Sequence, residues 1–534
     1  MTERPQSRRL SQQELNRREI LRGVVMGGAV MGGAVMGNAV LGNAGGLAVT
    51  AALGLPSSSA AAQSLSAADS IITQENQRAG TTDWMLKNCQ IDPATKYRSP
   101  VIEGYCSHAS IRAGQTIEIK VSANPTSEVQ LDIYRLGYYG GKGGRHIATL
   151  SPVSVNPQPT PEPQAYRLLV CQWQTAFQWQ IPTDAVSGVY LGKLTALQSG
   201  QDSYVIFIVR DDRQADFVFQ CSDHTWQAYN RWPSQFSLYD DGINQWHWGG
   251  KAQVSFLRPY GRYCQIFDTP LSTGSGEFLL WEFPFAFWME SLGYDVTYVS
   301  NTDTHTDPQS LLRCKGWLSL GHDEYWTIEM FRNAQAAIAA GVSLAFFSGN
   351  AVCGRVLWDE ATQSIRRVGV FGPPDGTTDF IEMDSLEHIR PYANELMGAH
   401  STGPVTGGAD WICTKEEHWI YRDTGMKNGD RIPGVIGWEW HGDPAPIAGL
   451  EVIATGPTQS APDKPNGGQY TATIYPGPKG NFVFNASTIW WADGLSEPPG
   501  YVRPKVYTEP KGPDPRLQQI TRNILDAARG LKPT

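Results

Sequence analysis

The sequence has no excess of basic residues. Its 43 lysines and arginines are outnumbered by 52 aspartates and glutamates, which gives a formal net charge of -9 and a pI near 5.6. Domains that bind nucleic acid or an anionic membrane surface usually carry a basic patch. The composition indicates neither kind of partner, and we expect no binding to nucleic acid.

Charged residues are absent from residues 23–68. This segment repeats a five-residue unit rich in Gly and Ala, so it is only weakly apolar and we assign it no fold. The sequence just before it, residues 16–22, reads NRREILR, and the adjacent Arg17 and Arg18 are typical of a twin-arginine export signal. Ala60, Ala61 and Ala62 form a small-residue cleavage site, so residues 1–62 are interpreted as a leader and residues 63–98 as a linker. A retained N-terminal anchor is the alternative.

CxxC pairs of the zinc-binding type are also absent, although the chain has eight cysteines at irregular spacing. An exported protein works in an oxidising compartment, where disulfides form. Cys89 and Cys106 lie near each other in the sequence beside the edge of a predicted sandwich. They are the first pair to test for a disulfide.

Residues 99–210 have the pattern of an all-β domain. Short alternating or β-branched segments are separated by Gly, Pro and Asn turns, which predicts a β-sandwich. The proline-rich segment 152–163 is predicted to be a surface connection, because proline cannot donate to a central ladder. The predicted strands are Ser110–Val121, Val129–Tyr134, Ala176–Ile181, Gly188–Leu197 and Tyr204–Val209.

Apolar runs alternate with helical patterns in residues 211–529, where we expect a second domain. This alternation predicts a parallel sheet covered by helices. The predicted elements are a helix at Phe278–Leu292, strands at Tyr294–Val299 and Gly316–Leu320, a helix at Ile328–Ala340 and a strand at Val342–Phe347.

Two of these strands end in polar clusters. GHDEYW at residues 321–326 follows one buried strand, and SGN at residues 348–350 follows the next. In open α/β sheets the active crevice lies at the carboxyl ends of the strands. Both clusters are therefore expected to face one crevice.

Several segments resemble the family of the N,N-dimethylformamidase large subunit. They are LSLGHDEYW, LAFFSGNAV, NFVFNASTIWWADGLSEPPGY, IEGYCSHASIRAGQTIEIKV, DIYRLGYYGG and TWQAYNRW, and the resemblance runs from about Val101 to Tyr501. It implies a multidomain fold in which a β-sandwich precedes a three-layer α/β domain similar to class I glutamine amidotransferases. In that fold a nucleophilic cysteine normally follows the buried strand. Here residues 321–324 are Gly-His-Asp-Glu and Cys353 lies in the wrong loop, so glutamine-type acyl-enzyme chemistry is not expected.

The resemblance further implies hydrolysis of a small amide at a mononuclear iron held by two tyrosinates and one glutamate. Glu324 matches the metal-binding glutamate of the GHxEY motif. Tyr229 in AYN is the first choice for a tyrosine ligand and Tyr239 in SLYDD the second. Phe256 in VSFLRP stands where some family members carry a tyrosine. Carboxylate and phenolate oxygens are hard donors and suit a ferric ion.

His322 and Asn350 are the expected catalytic residues. An imidazole has an unperturbed pKa of ~6.5, which suits a proton shuttle beside a metal-bound water. The Asn350 amide could donate to a developing oxyanion. The resemblance leaves open a small partner subunit and a homo-oligomer.

Each candidate also has a structural interpretation. Glu324 could cap the following helix, His322 could hydrogen-bond to backbone, and Asn350 could accommodate an unusual turn. Tyr229 and Tyr239, taken singly, are typical core aromatics.

Two other functions remain as alternatives. One is an exported binding protein whose aromatic side chains hold a carbohydrate or cell-envelope polymer. The other is a hydrolase that uses Asp323 and Glu324 as an acid/base pair. It ranks last, because adjacent residues leave a strand end in different directions.

Overall fold

The computed structural model describes residues 70–243, 249–261, 273–372, 390–402, 408–458, 468–502 and 512–531. The predicted leader, the start of the predicted linker and Cys264 lie outside these ranges. Within them, no helix is both long enough and apolar enough to cross a membrane.

Two sheets near the start of the described chain enclose one apolar core. A short helix, α1 (Ile71–Asn76), precedes strands β1 (Ile102–Cys106), β2 (Ser110–Arg112), β3 (Thr116–Ala123), β4 (Ser127–Leu136), β5 (Gly144–Val155), β6 (Thr175–Gln180), β7 (Gly188–Ala196) and β8 (Gln201–Arg210). The three-stranded sheet has the order β1-β3-β6, and the five-stranded sheet has the order β2-β8-β7-β4-β5. Ile119 of β3 and Leu131 of β4 are fully buried in the shared core. The chain therefore forms a β-sandwich here.

The sandwich differs from the predicted strands in three places. The predicted strand Ser110–Val121 is wrong as one element, since the chain turns at Gly114, which has a φ of 82°, and continues as β3 in the other sheet. Strands β1 and β5 were not predicted. Pro152 belongs to β5, and it is tolerated because β5 is an edge strand.

The rest of the described chain combines further sheets with short helices. The strands are β9 (Phe217–Cys221), β10 (Gln253–Ser255), β11 (Val296–Ser300), β12 (Gly316–Gly321), β13 (Tyr325–Trp326), β14 (Ser343–Ser348), β15 (Gly354–Asp359), β16 (Ser364–Val370), β17 (Ala399–Thr402), β18 (Ala409–Ile412), β19 (Arg431–Ile436), β20 (Trp440–Pro444), β21 (Glu451–Thr458), β22 (Gly468–Pro476) and β23 (Phe482–Asn485). The helices are α2 (Asp223–Tyr229), α3 (Phe278–Trp281), α4 (Phe283–Ser291), α5 (Asn301–Thr306), α6 (Ile328–Ala340), α7 (Ala393–Met397) and α8 (Pro515–Ala528).

A seven-stranded sheet forms the centre of this part. Its order is β11-β9-β12-β14-β23-β22-β21. The first five of these strands run parallel, while β22 and β21 are antiparallel to their neighbours. A separate four-stranded sheet has the order β10-β16-β15-β13, and its strand β13, which follows β12 in the chain, carries Tyr325.

The helix predictions have mixed outcomes. The predicted helix Ile328–Ala340 is confirmed as α6, because Thr327 caps its first turn and Gly341 ends it in a left-handed conformation. The predicted continuous helix Phe278–Leu292 is wrong. It breaks into α3 and α4, where Pro284 occupies the first turn of α4.

A buried ion pair joins the sandwich to the second part of the chain. Arg135 on β4 and Glu290 on α4 are both completely buried, and Arg135 Nη2 lies 2.8 Å from Glu290 Oε1. Arg135 Nη1 also donates to Glu290 Oε2 at 3.1 Å, and the Tyr298 hydroxyl donates to Glu290 Oε1 at 2.9 Å. The ion pair thus holds β4 and α4 in contact.

The proposed disulfide between Cys89 and Cys106 is wrong, because both are free thiols. Cys106 lies in the sandwich core, whereas Cys89 packs against the larger core that extends beneath the central sheet. The two thiols belong to different clusters, so nearness in sequence does not bring them together.

Candidate functional site

Side chains from three segments meet beyond the end of β12. His322 and Glu324 directly follow this strand, Asn350 follows β14, and Tyr229 is the last residue of α2. The exit from β12 requires Gly321, whose φ is 61°. A Cβ at this position would lie 2.6 Å from the Cβ of Trp281. A larger residue would therefore displace the turn that carries His322 and Glu324.

Glu324 and the two predicted tyrosines are directly hydrogen-bonded. The Tyr229 hydroxyl donates to Glu324 Oε2 at 2.7 Å, and the Tyr239 hydroxyl donates to the Tyr229 oxygen at 2.6 Å. The Tyr239 oxygen also lies 3.3 Å and 3.4 Å from the two carboxylate oxygens of Glu324. Phe256 packs in the same apolar cluster as both tyrosines. The residues named for an iron site are therefore brought together, and their roles as ligands stay a prediction.

The interpretation of Glu324 as a helix cap is wrong. Glu324 is buried, and the side chain that caps α6 belongs to Thr327. Its neighbour Asp323 points elsewhere and accepts hydrogen bonds from Ser319 and Gln220, each at 2.7 Å. The two acids therefore do not form a carboxylate pair.

His322 lies between two carboxylates. Its Nε2 is 2.7 Å from Glu439 Oε2 and 3.3 Å from Glu324 Oε2. Burial opposes a positive charge on the imidazole, but the charges of Glu439 and Glu324 outweigh burial and raise the pKa of His322 to about 10. Burial also raises the pKa of Glu439, against the effect of His322. The two carboxylates thus favour the protonated form of the imidazole.

Asn350 adopts an unusual turn and also lies in the polar cluster. Its φ of 48° is an unusual turn conformation that asparagine tolerates. Its Nδ2 donates to Glu439 Oε2 at 3.2 Å, so the same turn aims the amide into the cluster.

The two tyrosines need a positive charge before they can ionise. Burial raises the pKa of Tyr229 and Tyr239 well above the ordinary value for a phenol, and the charge of Glu324 raises both further. A bound cation reverses this effect, since it favours the phenolate.

The cluster contains donors for a metal ion in two overlapping sets. His322, Glu324 and Glu439 are buried and each offers a ligand atom within 4.8 Å of the others, so this triad could hold a metal ion. The second set consists of Glu324, Tyr229 and Tyr239, whose oxygens are 2.6–3.4 Å apart in hydrogen bonds that a cation could replace. Glu324 belongs to both sets. The donors fit a hard cation because most of them are oxygens.

Sequence reasoning missed Glu439. This acid lies between Trp438 and Trp440, just before β20, in a segment with no assigned element. In the sequence, Glu439 is marked as a candidate site residue only by its position between two tryptophans. Its approach to the end of β12 depends on how the later strands pack.

Two further buried residues extend the cluster. Tyr325 lies in the GHDEYW segment but had no assigned role, and its hydroxyl donates to the Tyr239 oxygen at 2.5 Å. Arg367 on β16 donates from Nη2 to the Tyr325 oxygen at 2.6 Å.

Cys353 does not have the properties of a nucleophile. Its backbone N–H donates to the Glu324 carbonyl at 2.9 Å, so the residue lies close to the site. Burial raises the pKa of its thiol well above the usual value, and the charges of Glu324 and Glu439 raise it further. Because the reactive form of cysteine is the thiolate, thiol catalysis is disfavoured.

Glu277 makes the metal-free protein less stable as pH rises. Burial raises its pKa from about 4.5 to about 8, although the charge of His322 opposes this shift. Between these values the folded protein holds a proton that the unfolded chain has lost, so stability falls with increasing pH. We expect urea unfolding at pH 5 and pH 8 to show a smaller loss of stability for Glu277→Gln than for the wild type. Equal pH profiles would contradict this assignment.

Comparison with known proteins gives one extensive match. A family model described as N,N-dimethylformamidase beta subunit-like, C-terminal, matches residues 130–505. No curated protein matches the chain. Among solved structures, Pseudomonas fluorescens alkylpurine DNA glycosylase AlkC, bound to DNA containing an abasic site analog, has 13% sequence identity and a TM-score of 0.14. The chain covers 31% of that protein and the match covers 21% of this chain, a likeness that carries no argument about fold.

Proposed function

Because the chain belongs to the N,N-dimethylformamidase beta subunit-like family, we propose that it is a metal-dependent hydrolase of a small amide or a related C–N bond. One observation carries the proposal. Tyr229, Tyr239 and Glu324 come from separate segments and place their oxygens in hydrogen-bond contact beside the paired His322 and Glu439. We also propose that residues 211–529 form a three-layer α/β domain similar to class I glutamine amidotransferases.

We assign the metal to Glu324, Tyr229 and Tyr239, with a single iron as the metal. The alternative set would make His322 a ligand, but His322 Nε2 lies 2.7 Å from Glu439 Oε2, and this contact stays intact when the metal is bound by the other set. The tyrosine oxygens instead contact Glu324 through hydrogen bonds that a cation can replace. This division leaves His322 and Glu439 for proton transfer.

The remaining residues then have distinct tasks in amide hydrolysis. When bound, the metal polarises the amide carbonyl and lowers the pKa of water. Glu439 accepts a proton from the attacking water, and His322 donates a proton to the leaving amine. Asn350 holds Glu439 with one N–H, and its amide group has a second N–H to offer the carbonyl oxygen as negative charge develops there. The burial of all three side chains strengthens these interactions by excluding water.

The metal itself provides the test of this function. Ferric tyrosinate absorbs visible light, so protein purified without chelators from iron-replete cells is expected to be coloured and to contain one iron per chain. It is also expected to release amine from small amides such as N,N-dimethylformamide. Glu324→Ala is expected to lose colour, iron and activity together, whereas Asp323→Asn, one residue away, is expected to keep the iron. A colourless, iron-free wild type that hydrolyses no amide would instead favour a binding protein.

We further propose that the protein acts outside the cytoplasmic membrane after twin-arginine export. This route carries folded proteins, which suits an iron site assembled in the cytoplasm. The family description names a subunit, so we also propose that the chain assembles with a small partner subunit or with copies of itself.

Changing both Arg17 and Arg18 to lysine is expected to leave the precursor in the cytoplasm. Lysine keeps the charge but lacks the planar guanidinium that the export receptor recognises. Cell fractionation and immunoblotting of the double variant measure this effect, with an Arg8→Lys, Arg9→Lys double variant as the control, since that pair lies outside the signal. Normal processing of the Arg17/Arg18 variant would remove the export proposal.

A further inference from the structure

A row of hydrogen bonds leads from a buried arginine through three tyrosines to Glu324. Arg367 Nη2 donates to the Tyr325 oxygen at 2.6 Å, and the Tyr325 hydroxyl donates to the Tyr239 oxygen at 2.5 Å. Tyr239 donates to Tyr229 at 2.6 Å, and Tyr229 donates to Glu324 Oε2 at 2.7 Å. All five side chains are buried.

The direction of this row is fixed by its two ends. A guanidinium has only donors, and a carboxylate has only acceptors. Each hydroxyl between Arg367 and Glu324 therefore accepts from the arginine side and donates toward the carboxylate side. The proton of Tyr325 is therefore directed at Tyr239.

Metal binding would remove some hydrogen bonds of this row and leave others in place. Ligands lose their protons when they bind a metal, so the hydrogen bonds that use the protons of Tyr239 and Tyr229 disappear. The bonds donated by Arg367 and Tyr325 use other protons, and these bonds remain. Tyr239 thus keeps a hydrogen-bond donor after it has become a ligand.

Arg367 also contacts the tyrosine rings directly. Its Cζ lies 4.7 Å from the centroid of the Tyr239 ring and 5.3 Å from that of Tyr325. A guanidinium over an aromatic face is attracted to it, and the attraction grows when the ring carries negative charge. Arg367 and Tyr325 lie on β16 and β13, so the four-stranded sheet supports both residues.

We propose that Tyr325, held by Arg367, is a positioning residue that fixes the Tyr239 oxygen and withdraws electron density from it, which makes the two tyrosine ligands unequal. This inference rests on the proposed iron site. It goes beyond that site because it assigns a task to two residues that do not bind the metal.

The colour of the iron protein reports this hydrogen bond. A phenolate that loses a donor holds its electrons less tightly, so Tyr325→Phe is expected to move the tyrosinate-to-iron band to longer wavelength while the iron stays bound. Tyr190→Phe is the matched control, because it removes a buried hydroxyl that donates to the Val186 carbonyl at 2.8 Å within the sandwich. Its band is expected to stay at the wild-type position.

Two substitutions of Arg367 provide a second measurement. Arg367→Met removes both the donor and the charge, and we expect it to shift the band in the same direction as Tyr325→Phe. Arg367→Lys keeps a cation but loses the planar fork, so a smaller shift is expected. The shifts of Tyr325→Phe and Arg367→Met should add only in part in the double variant, since Arg367 acts partly through Tyr325 and partly through its direct contact with the Tyr239 ring.

The outcomes separate this inference from the proposed function. An iron-loaded wild type with a visible band, together with Tyr325→Phe and Arg367→Met proteins that bind iron and keep that band in place, would overturn the inference alone. A wild type that binds no iron would overturn both. If circular dichroism shows that Tyr325→Phe is unfolded, the Arg367→Lys and Arg367→Met pair decides the matter, and an unchanged band in both overturns the inference.

Discussion

Glu439→Gln is expected to lower kcat for amide hydrolysis by about 10²–10⁴-fold while leaving the iron in place. A positioned general base contributes a factor of this size, and glutamine keeps the shape of the side chain but cannot accept a proton. The side chain is well placed for the task, because Glu439 Oε2 lies 2.7 Å from His322 Nε2 and 3.2 Å from Asn350 Nδ2. Steady-state kinetics and metal analysis of the same preparation measure both effects.

The comparison with Tyr229→Phe decides between the two donor sets. If Tyr229 is a ligand and Glu439 a base, Tyr229→Phe loses iron and Glu439→Gln keeps it. The reverse result would assign the metal to His322, Glu324 and Glu439. Because glutamine and phenylalanine are close in shape to the residues that they replace, loss of metal in one variant alone reflects the missing donor rather than a collapsed site.

Glu290→Ala is expected to lower the free energy of unfolding by about 3–5 kcal/mol, since it leaves a completely buried Arg135 without its carboxylate. Two hydrogen bonds from Arg135, one from Tyr298 and one from Asn76 are lost with the same substitution. Urea denaturation measures the effect. Lys87→Ala is the matched control, because Lys87 and Asp83 form an ion pair in which each side chain is 68% exposed, and such pairs contribute about 0–1 kcal/mol. Equal effects of the two substitutions would show that burial of the Arg135 pair adds no stability.

The sequence predicted those parts of the fold that local signals specify. Helix α6 follows a Thr cap and ends at a Gly, and β12 and β14 are apolar runs between turn residues, so all three were found within one residue of their bounds. The break between α3 and α4 was missed because the apolar residues continue through it without interruption. Strands β1 and β5 were missed because their role depends on pairing with β3 and β4, which the local pattern does not contain.

The sequence likewise predicted only part of the candidate site. Residues directly after β12 and β14 were named because the carboxyl ends of parallel strands are expected to meet. Tyr229 and Tyr239 were chosen only through a family resemblance, since a tyrosine in a buried segment is usually part of the core. Glu439 and Arg367 were missed because both reach the site from segments far away in the chain, and no spacing in the sequence reports that approach.

The wide separation of the site residues along the chain has a consequence for how the protein matures. Tyr229 and Glu439 are more than 200 residues apart, and the unfolded chain offers no preformed site. A ribosome must therefore release the segment around Glu439 before the whole cluster can close, whereas the three proposed iron ligands precede that segment in the chain. If the proposed iron site and export are correct, binding of iron reports that the segments around Tyr229 and Glu324 have folded together, and a cell that exports only folded chains would export the loaded protein.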